Sequence, residues 1–259
     1  MGSVNPALER QQTIPWLAIV VPIWNEADNM THLAQQLLPL VKQGCELLLV
    51  DGGSQDDSFQ KAQALGLPII ESGKGRAAQM NAGAKATHAP VLLFLHADTQ
   101  LPEEAVDAIS DALFPKVHDM QALDFATATP NAETRQWGRF DVCLTAHEQK
   151  APLMFPVIGF MINLRSRLTG ISTGDQAQFF LRKCFDSIGG FPNQPLMEDI
   201  EISKRLRKQH PPVAIAAKVT TSGRRWLSRG VWKTILLMWR LRWDYWRGVS
   251  AENIAARYR

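Results

Sequence analysis

The residues best equipped for chemistry in this chain are carboxylates that follow apolar runs. In VLLFLHAD, from Val91 to Asp98, six apolar residues surround a single His96 and the run ends on an acid. Aspartate in such a place closes a turn or caps a helix, or it offers a hard oxygen ligand to a divalent cation. WLAIVVPIW is followed two residues later by Glu26, and CELLLVD ends on Asp51. Further along, PLMEDIEISKRLRKQ sets Glu198 and Asp199 side by side at the start of a helical pattern. The helix dipole favours acids there. The same pair also suits a general base, one carboxylate taking a proton while its neighbour orients it.

Basic and glycine-rich stretches supply the complementary charge. SGKGRAAQMNAGAKA places Gly73, Lys74, Gly75 and Arg76 directly before a helix. Backbone N–H groups and side-chain charge at such an N-terminus can hold a phosphate. The spacing is neither that of a P-loop nor GxGxxG, and a solvated turn is the alternative. In VDGGSQDDS the glycines allow close approach of a planar ligand, and Asp51 can accept a hydrogen bond from a base or ribose. An ordinary turn capped by Ser54 and Asp56 explains the same residues. SGRRW offers Arg224 and Arg225 to a diphosphate or an anionic acceptor, or else two solvated arginines beside a core Trp226.

Positioning these groups requires strands that end together. Apolar runs of about five residues alternate with helical patterns from Trp16 to Asp98, the signature of a parallel sheet with crossover helices. Such folds bind ligands beyond the carboxyl ends of their strands, where Glu26, Asp51 and Asp98 fall. Thr99, Pro102 and Glu103-Glu104 read as a helix start. DFATAT within Met120–Ala128 and its flank reads as a strand, and Gln136–Phe160 as a helix or a mobile loop. AQFFLR and PPVAIAAKVTTS read as strands, KCFDSIGGF and DIEISKRLRKQ as helices. GVWKTILLMWRLRWDYWRG is a helix with an aromatic stripe.

The 259 residues suit one sizeable α/β domain with a mostly parallel central sheet and a C-terminal helical appendage. The expected boundaries are 15–222 for the main domain, divided into halves at 15–115 and 116–222, and 223–259 for a basic, Trp-rich tail. Hydrophobic and charged fractions of 46% and 20% are those of an ordinary globular protein. MGSVNPALERQQTIP has no apolar run, so no signal peptide is expected, and no stretch approaches a bilayer span. Cys45, Cys143 and Cys184 are scattered, which predicts reduced thiols in a cytoplasmic protein. Net charge is +3, yet from Glu201 onward fourteen Lys/Arg face three Asp/Glu. That tail is built to meet something anionic.

Taken in order, PIWNEA, VDGGSQDDS, KGRAAQMNAG, FLHADTQLP and IGGFPNQPLMEDIEISKRL resemble an inverting nucleotide-sugar glycosyltransferase of family 2, with the GT-A fold, over roughly Ala18 to Leu206. GDQ (Gly174 to Gln176) paired with SGRRW also resembles a bacterial subgroup described as associated with arsenosugar biosynthesis. The resemblance implies that Pro22, Asn25 and Glu26 line a nucleoside pocket, and that Asp51 hydrogen-bonds the base, expected to be uridine. Gly75, Arg76 and Asn81 would shape the base and diphosphate side, joined by Arg224 and Arg225. Asp98 would coordinate Mg²⁺ or Mn²⁺ between the two phosphates. Asp199, with Glu198 beside it, would be the general base on an acceptor hydroxyl. Asp175, Gln176 and Trp226 would face that acceptor.

Two departures from the family pattern stand out. The paired acids after the second strand are reduced to Asp51-Gly52, and the DxD motif reads His96-Ala97-Asp98. A nucleotide-sugar binder that has lost catalysis is therefore one alternative, and a nucleotidyltransferase another. In the tail, Trp232, Trp239, Trp243 and Trp246 share one side of a helix interspersed with Arg240, Arg242 and Arg247. Packing in the core or between copies is the first expectation. Peripheral contact with the inner face of a membrane is the second. Nucleic acid is not expected as a partner.

Overall fold

Leu17–Ile23 (β1) is buried along nearly its whole length, with parallel strands on both sides and a helix packed on it. The structure is a computed structural model and describes residues 15–115, 135–146 and 151–258. Glu46–Asp51 (β2), Ile69–Glu71 (β3) and Val91–Phe94 (β4) complete a parallel set with β1. Met30–Lys42 (α1), Ser58–Ala64 (α2) and Arg76–Ala86 (α3) are its crossovers. The small residues of α3 let it lie close on the sheet. Gly83 is the extreme case, since a β-carbon there would come within 3.0 Å of the Val50 side chain and closer still to Val20.

The remaining elements are Thr99–Gln100 (β5), Ala105–Leu113 (α4), Trp137–Thr145 (β6), Phe155–Thr169 (α5), Phe179–Leu181 (β7), Arg182–Ser187 (α6), Glu198–Leu206 (α7) and Val213–Ser222 (β8). Arg224–Arg229 (α8), Val231–Trp246 (α9) and Ala251–Tyr258 (α10) follow. One eight-stranded mixed sheet, ordered β3-β2-β1-β4-β7-β6-β8-β5, runs through both halves. β7 joins them by pairing antiparallel with β4 on one edge and β6 on the other. Phe94, Phe180, Phe185 and Phe191 pack in edge-on and tilted pairs at this junction, with centroids about 5–6 Å apart.

Several expectations need correction. The fourth strand stops at Phe94 instead of reaching Asp98, and Thr99-Gln100 forms β5 where a helix start was expected. Cross-strand contact with β8 wins there, including a 3.0 Å hydrogen bond between the Thr99 and Thr221 hydroxyls. Gln136–Phe160 holds the nine-residue strand β6 and the start of α5, not simply a helix or loop. Buried charge hides that strand in the sequence. Arg139 is 1% exposed and pairs with Asp141, which also binds Arg167 at 2.7 Å. DFATAT lies outside the described residues. The tail helix expected over GVWKTILLMWRLRWDYWRG is α9, with α8 and α10 on either side of it, but its tryptophan stripe does not pack on the core. Trp232, Trp239, Trp243 and Trp246 are 57–75% exposed. The opposite side of α9 is the packed one, with Leu241 and Leu237 against Met197, Leu196 and Ile254.

Candidate active site

The loops after β1 and β2 build the first wall by clamping each other. The Asn25 N–H donates to Ser54 Oγ at 2.9 Å, and the Glu26 N–H to Ser58 Oγ at 2.8 Å. The Ala27 N–H donates to Asp56 Oδ2 at 3.1 Å, and Asn25 Oδ1 accepts from the Gln55 N–H at 2.8 Å. Asn25 takes a left-handed backbone, φ 55°, to make this turn. Asp51 is only 3% exposed, and Ser54 donates to it through both its N–H and its hydroxyl. It therefore holds the turn. Pro22 is half-buried at the end of β1. Trp24 is 47% exposed, with the Lys74 ammonium 4.3 Å from its ring centroid. Buried Gln79, which the sequence left unmarked, donates to Ile23 and Val50 carbonyls and ties the two strand ends together.

Asp98 is carried on a tight turn in which the Thr99 N–H bonds to the His96 carbonyl at 3.0 Å. The Asp98 carbonyl accepts from the Ser222 N–H, and Asn29 donates to the carbonyl of Ala97. The turn is fixed from three sides. Arg224 Nη2 stands 3.8 Å from both Asp98 Oδ2 and Glu26 Oε2, so two acids from different strand ends share one cation. Burial raises the Glu26 carboxyl above its ordinary range; Arg224 opposes that, while Asp98 and Asp56 add to it. No group of three or more His, Cys, Asp or Glu among the described residues is arranged to hold a metal unaided. Two hard oxygen donors nevertheless suit Mg²⁺ or Mn²⁺, which takes few carboxylates and fills its shell with phosphate oxygens and water.

The second wall comes from α7. Met197, at φ 66°, turns the chain sharply into the helix and directs Glu198 and Asp199 to different surroundings. Glu198 is 2% exposed and meets Arg76 Nη1 at 3.4 Å. Burial and the neighbouring Asp199 charge push its carboxyl up, against the pull of Arg76. Asp199 stays half-buried, its Oδ2 accepting from the Gly174 N–H at 2.8 Å and its Oδ1 from the Ile200 N–H at 2.7 Å. The Arg76–Glu198 contact joins α3, whose start follows the φ 130° Gly75, to the acid pair. Asn81 makes a second tie. Its side chain exchanges two hydrogen bonds with the Phe191 backbone, at 2.8 and 3.0 Å, so its amide is committed to the GGFP turn.

Other candidates divide by burial. Gln176 is fully buried, its carbonyl accepting from the Thr173 N–H and its amide donating to Phe140, so it shapes the GDQ turn from within. Trp226 packs with Phe155, Ile158 and Leu144. Asp175 keeps one buried oxygen, Oδ1, without a hydrogen-bond partner among the described residues. Arg225 stacks 4.9 Å over Tyr258 and feels the charges of Arg76, Asp98 and Asp175. His96 is half-buried, with its ring against Gly174; burial, reinforced by Arg76 and Arg225, pulls its imidazole well below the usual range, so it is neutral. Arg165 and Arg242 also reach this region, both close enough to feel Asp175 and Asp199. The sequence analysis missed Arg165 entirely and read Arg242 only as part of the stripe.

Residues 18–148 match the family described as Glycosyl transferase family 2. An undecaprenyl-phosphate 4-deoxy-4-formamido-L-arabinose transferase of Pseudomonas savastanoi pv. phaseolicola is 28% identical over 142 residues, 51% of this chain and 41% of that one. The chain spans less than half the length of the curated relatives it matches. Among solved structures, glucosyl-3-phosphoglycerate synthase from Mycobacterium tuberculosis, with Mn²⁺, uridine diphosphate and glucosyl-3-phosphoglycerate, superposes with a TM-score of 0.54 at 17% identity. That match covers 85% of this chain and 77% of the other. A Pyrobaculum calidifontis mannosyltransferase with GDP-mannose and Mn²⁺ superposes at 0.51 and 17% identity, over 80% and 56% of the two chains. The sheet and its helices are those of the GT-A fold. The chain belongs to glycosyl transferase family 2.

Proposed function

We propose that this protein is a metal-dependent inverting glycosyltransferase that moves a sugar from a nucleoside-diphosphate sugar, with uridine as the base, to an acceptor hydroxyl. The observation that carries the reading is the 3.4 Å contact between Arg76 and Glu198, which brings the glycine-rich, basic start of α3 to the acid pair of α7. Pro22, Asn25, Glu26 and Asp51 form the nucleoside side, Asp51 by holding its turn. Gly75, Arg76, Arg224 and Arg225 meet the diphosphate, while Asn81 positions α3. Asp98, helped by Glu26, would hold the cation, which when bound stabilises the departing diphosphate as a Lewis acid.

Asp199 takes the proton from the attacking hydroxyl on the face opposite the leaving group. A single base with no covalent sugar–enzyme intermediate gives inversion. Two N–H donors fix the plane of its carboxylate, so the proton is accepted from one direction. Glu198, buried behind it, orients Arg76. The turn that carries Asp175 and Gln176 lies between the Asp98 loop and α7, and its juxtaposition with SGRRW supports the two motifs of the arsenosugar-associated subgroup acting at one site.

Exposed apolar faces on α5 and α9 support work at a lipid surface. Val157, Phe160, Met161, Leu164 and Leu168 form one stripe and the four tryptophans with Leu236 the other, each 37–77% exposed. Tryptophan rimmed by Arg and Lys suits an anionic interface. No helix among the described residues is long and apolar enough to cross the bilayer.

The test of the donor site is calorimetric titration of UDP and GDP with and without Mn²⁺, on the wild type and on Asp98→Ala. Metal-dependent UDP binding that the substitution abolishes is the expected outcome. No nucleotide binding under any condition overturns the reading.

A further inference from the structure

A cavity of about 640 Å³ opens at the far end of the sheet from the candidate active site. It lies between the end of α5, the two residues after α7 and the starts of β6 and β8. Arg139 and Ala214, partners in the β6–β8 register, both line it. Ser222, whose N–H meets the Asp98 carbonyl, stands eight residues further along β8. At about 3.3 Å per residue, roughly 25 Å of strand separates the two places. The volume is that of a small-molecule site.

Every charged side chain lining this cavity is a cation: Arg139, Arg167, Arg207 and Lys208. Asp141 serves two of them, bonding Arg139 and, at 2.7 Å, Arg167. Among the described residues no ion pair engages Arg207 or Lys208. Arg207 Nη1 donates to the Thr169 carbonyl at 2.5 Å, which anchors its guanidinium at the cavity without neutralising it. The ends of α5 and α7 favour cations here, but each supplies only about half a negative charge. With Asp141 counted as well, about two positive charges stay unmatched. A phosphate monoester carries roughly −1.5 to −2 at neutral pH.

The cavity also has an apolar side. Leu168 lines it, is 77% exposed, and ends the α5 stripe that begins at Val157. Pro211 and Pro212 make another part of the wall rigid. A ligand with phosphate at one end and hydrocarbon at the other would meet cations in the cavity and the stripe beside it.

We infer that this cavity is a second binding site, for a phosphate monoester, distinct from the nucleotide side. The forks of Arg167 and Arg207 suit phosphate oxygens, and Lys208 adds a point charge. Arg139, 1% exposed, adds a charge that solvent does not screen. Continuity with the α5 stripe points to a lipid headgroup as the source, and a soluble phosphate ester shares the chemistry. The inference does not depend on the reaction proposed for the other end of the sheet.

Calorimetric titration of inorganic phosphate, without nucleotide or metal, tests it. The wild type is compared with Lys208→Gln, with Arg207→Gln and Lys208→Gln combined, and with Arg224→Gln in the active site. Arg207 and Lys208 are exposed, so these variants keep the fold. The combined variant should weaken phosphate binding about tenfold or more, the single variant less, and Arg224→Gln not at all. Equal affinity in all four proteins overturns the inference, as does loss in Arg224→Gln alone. A second arm measures sedimentation with phosphatidylcholine vesicles that contain phosphatidic acid or, at equal mole fraction, phosphatidylglycerol. A preference for phosphatidic acid, lost in the combined variant and in Leu168→Glu, assigns the site to a lipid headgroup. Phosphate binding that the combined variant loses, with no such preference, assigns it to a soluble ester. Neither phosphate binding nor a vesicle preference in the wild type overturns the inference.

Discussion

The Gly174 amide nitrogen lies 2.8 Å from Asp199 Oδ2 and donates its hydrogen to it, while the other side of Gly174 rests on the ring of His96. A β-carbon at position 174 would come 2.6 Å from His96 Cε1 and nearer still to Nε2. The spacing from the Asp98 turn to Asp199, the proposed base, is therefore set by a residue without a side chain. Gly174→Ala should cost about 1–3 kcal/mol of stability through overpacking. It should also lower kcat by about a hundredfold, by displacing Asp199 from its line of attack. Thermal unfolding and steady-state turnover measure the two effects, and an alanine variant with wild-type kcat would show the spacing to be unimportant.

Asp199→Asn keeps the shape of the side chain and removes its basicity. Turnover should fall by about 10²–10⁴, with UDP affinity unchanged in calorimetry. Unaltered turnover would transfer the role of base elsewhere, or fit a chain that binds nucleotide sugar without catalysis.

Glu198 gives a pH signature. Its carboxyl is raised above 4.5 in the folded protein, by burial first and by Asp199 second. The native state thus holds this proton to higher pH than the unfolded chain does, and across that window the unfolded chain binds fewer protons. Stability from this group is present at acid pH and is lost as pH climbs from 4.5 through the raised value. Glu198→Gln should remove that loss, so its melting temperature relative to wild type should rise between acid and neutral pH. A difference independent of pH would mean that Arg76 neutralises the carboxylate fully.

The α9 stripe predicts vesicle binding that one charge can break. Trp239→Glu should release the protein from anionic vesicles in a sedimentation assay and leave UDP binding intact, because Trp239 is 68% exposed and faces away from Leu241. Concentration-dependent dimers disrupted by the same substitution would instead assign the stripe to contact between copies.

Thiol chemistry should be graded by burial. Cys45 and Cys184 are pushed up to about 11 by burial, whereas Cys143 is exposed. An alkylating reagent should modify one cysteine rapidly in the native protein and all three after denaturation. Mass spectrometry of the labelled chain reads the count, and rapid native labelling of Cys45 would contradict its place in the core.

The first half of the fold was legible in the sequence because each element there is local. Apolar runs such as LAIVV and LLLV, broken by glycine-rich turns, specify strands and crossovers without distant help, and the acids at their ends follow from strand polarity. The pairing of Glu198 with Asp199 at a helix start was legible in the same way. Tertiary structure alone decided the rest. β6 has Arg139 and Asp141 inside it and becomes a strand because the two can pair with each other under α5. Asn81 has the side chain of a ligand, but Phe191 in the GGFP loop, 110 positions along the chain, determines what its polar atoms can still do. Arg165 and Arg242 are 77 positions apart in sequence, on helices whose patterns reveal only amphipathicity. Only the packing of α9 on the start of α7 and the inward turn of α5 bring their charges to Asp199. Charge proximity across such a distance is a property of packing, which no local pattern of residues encodes.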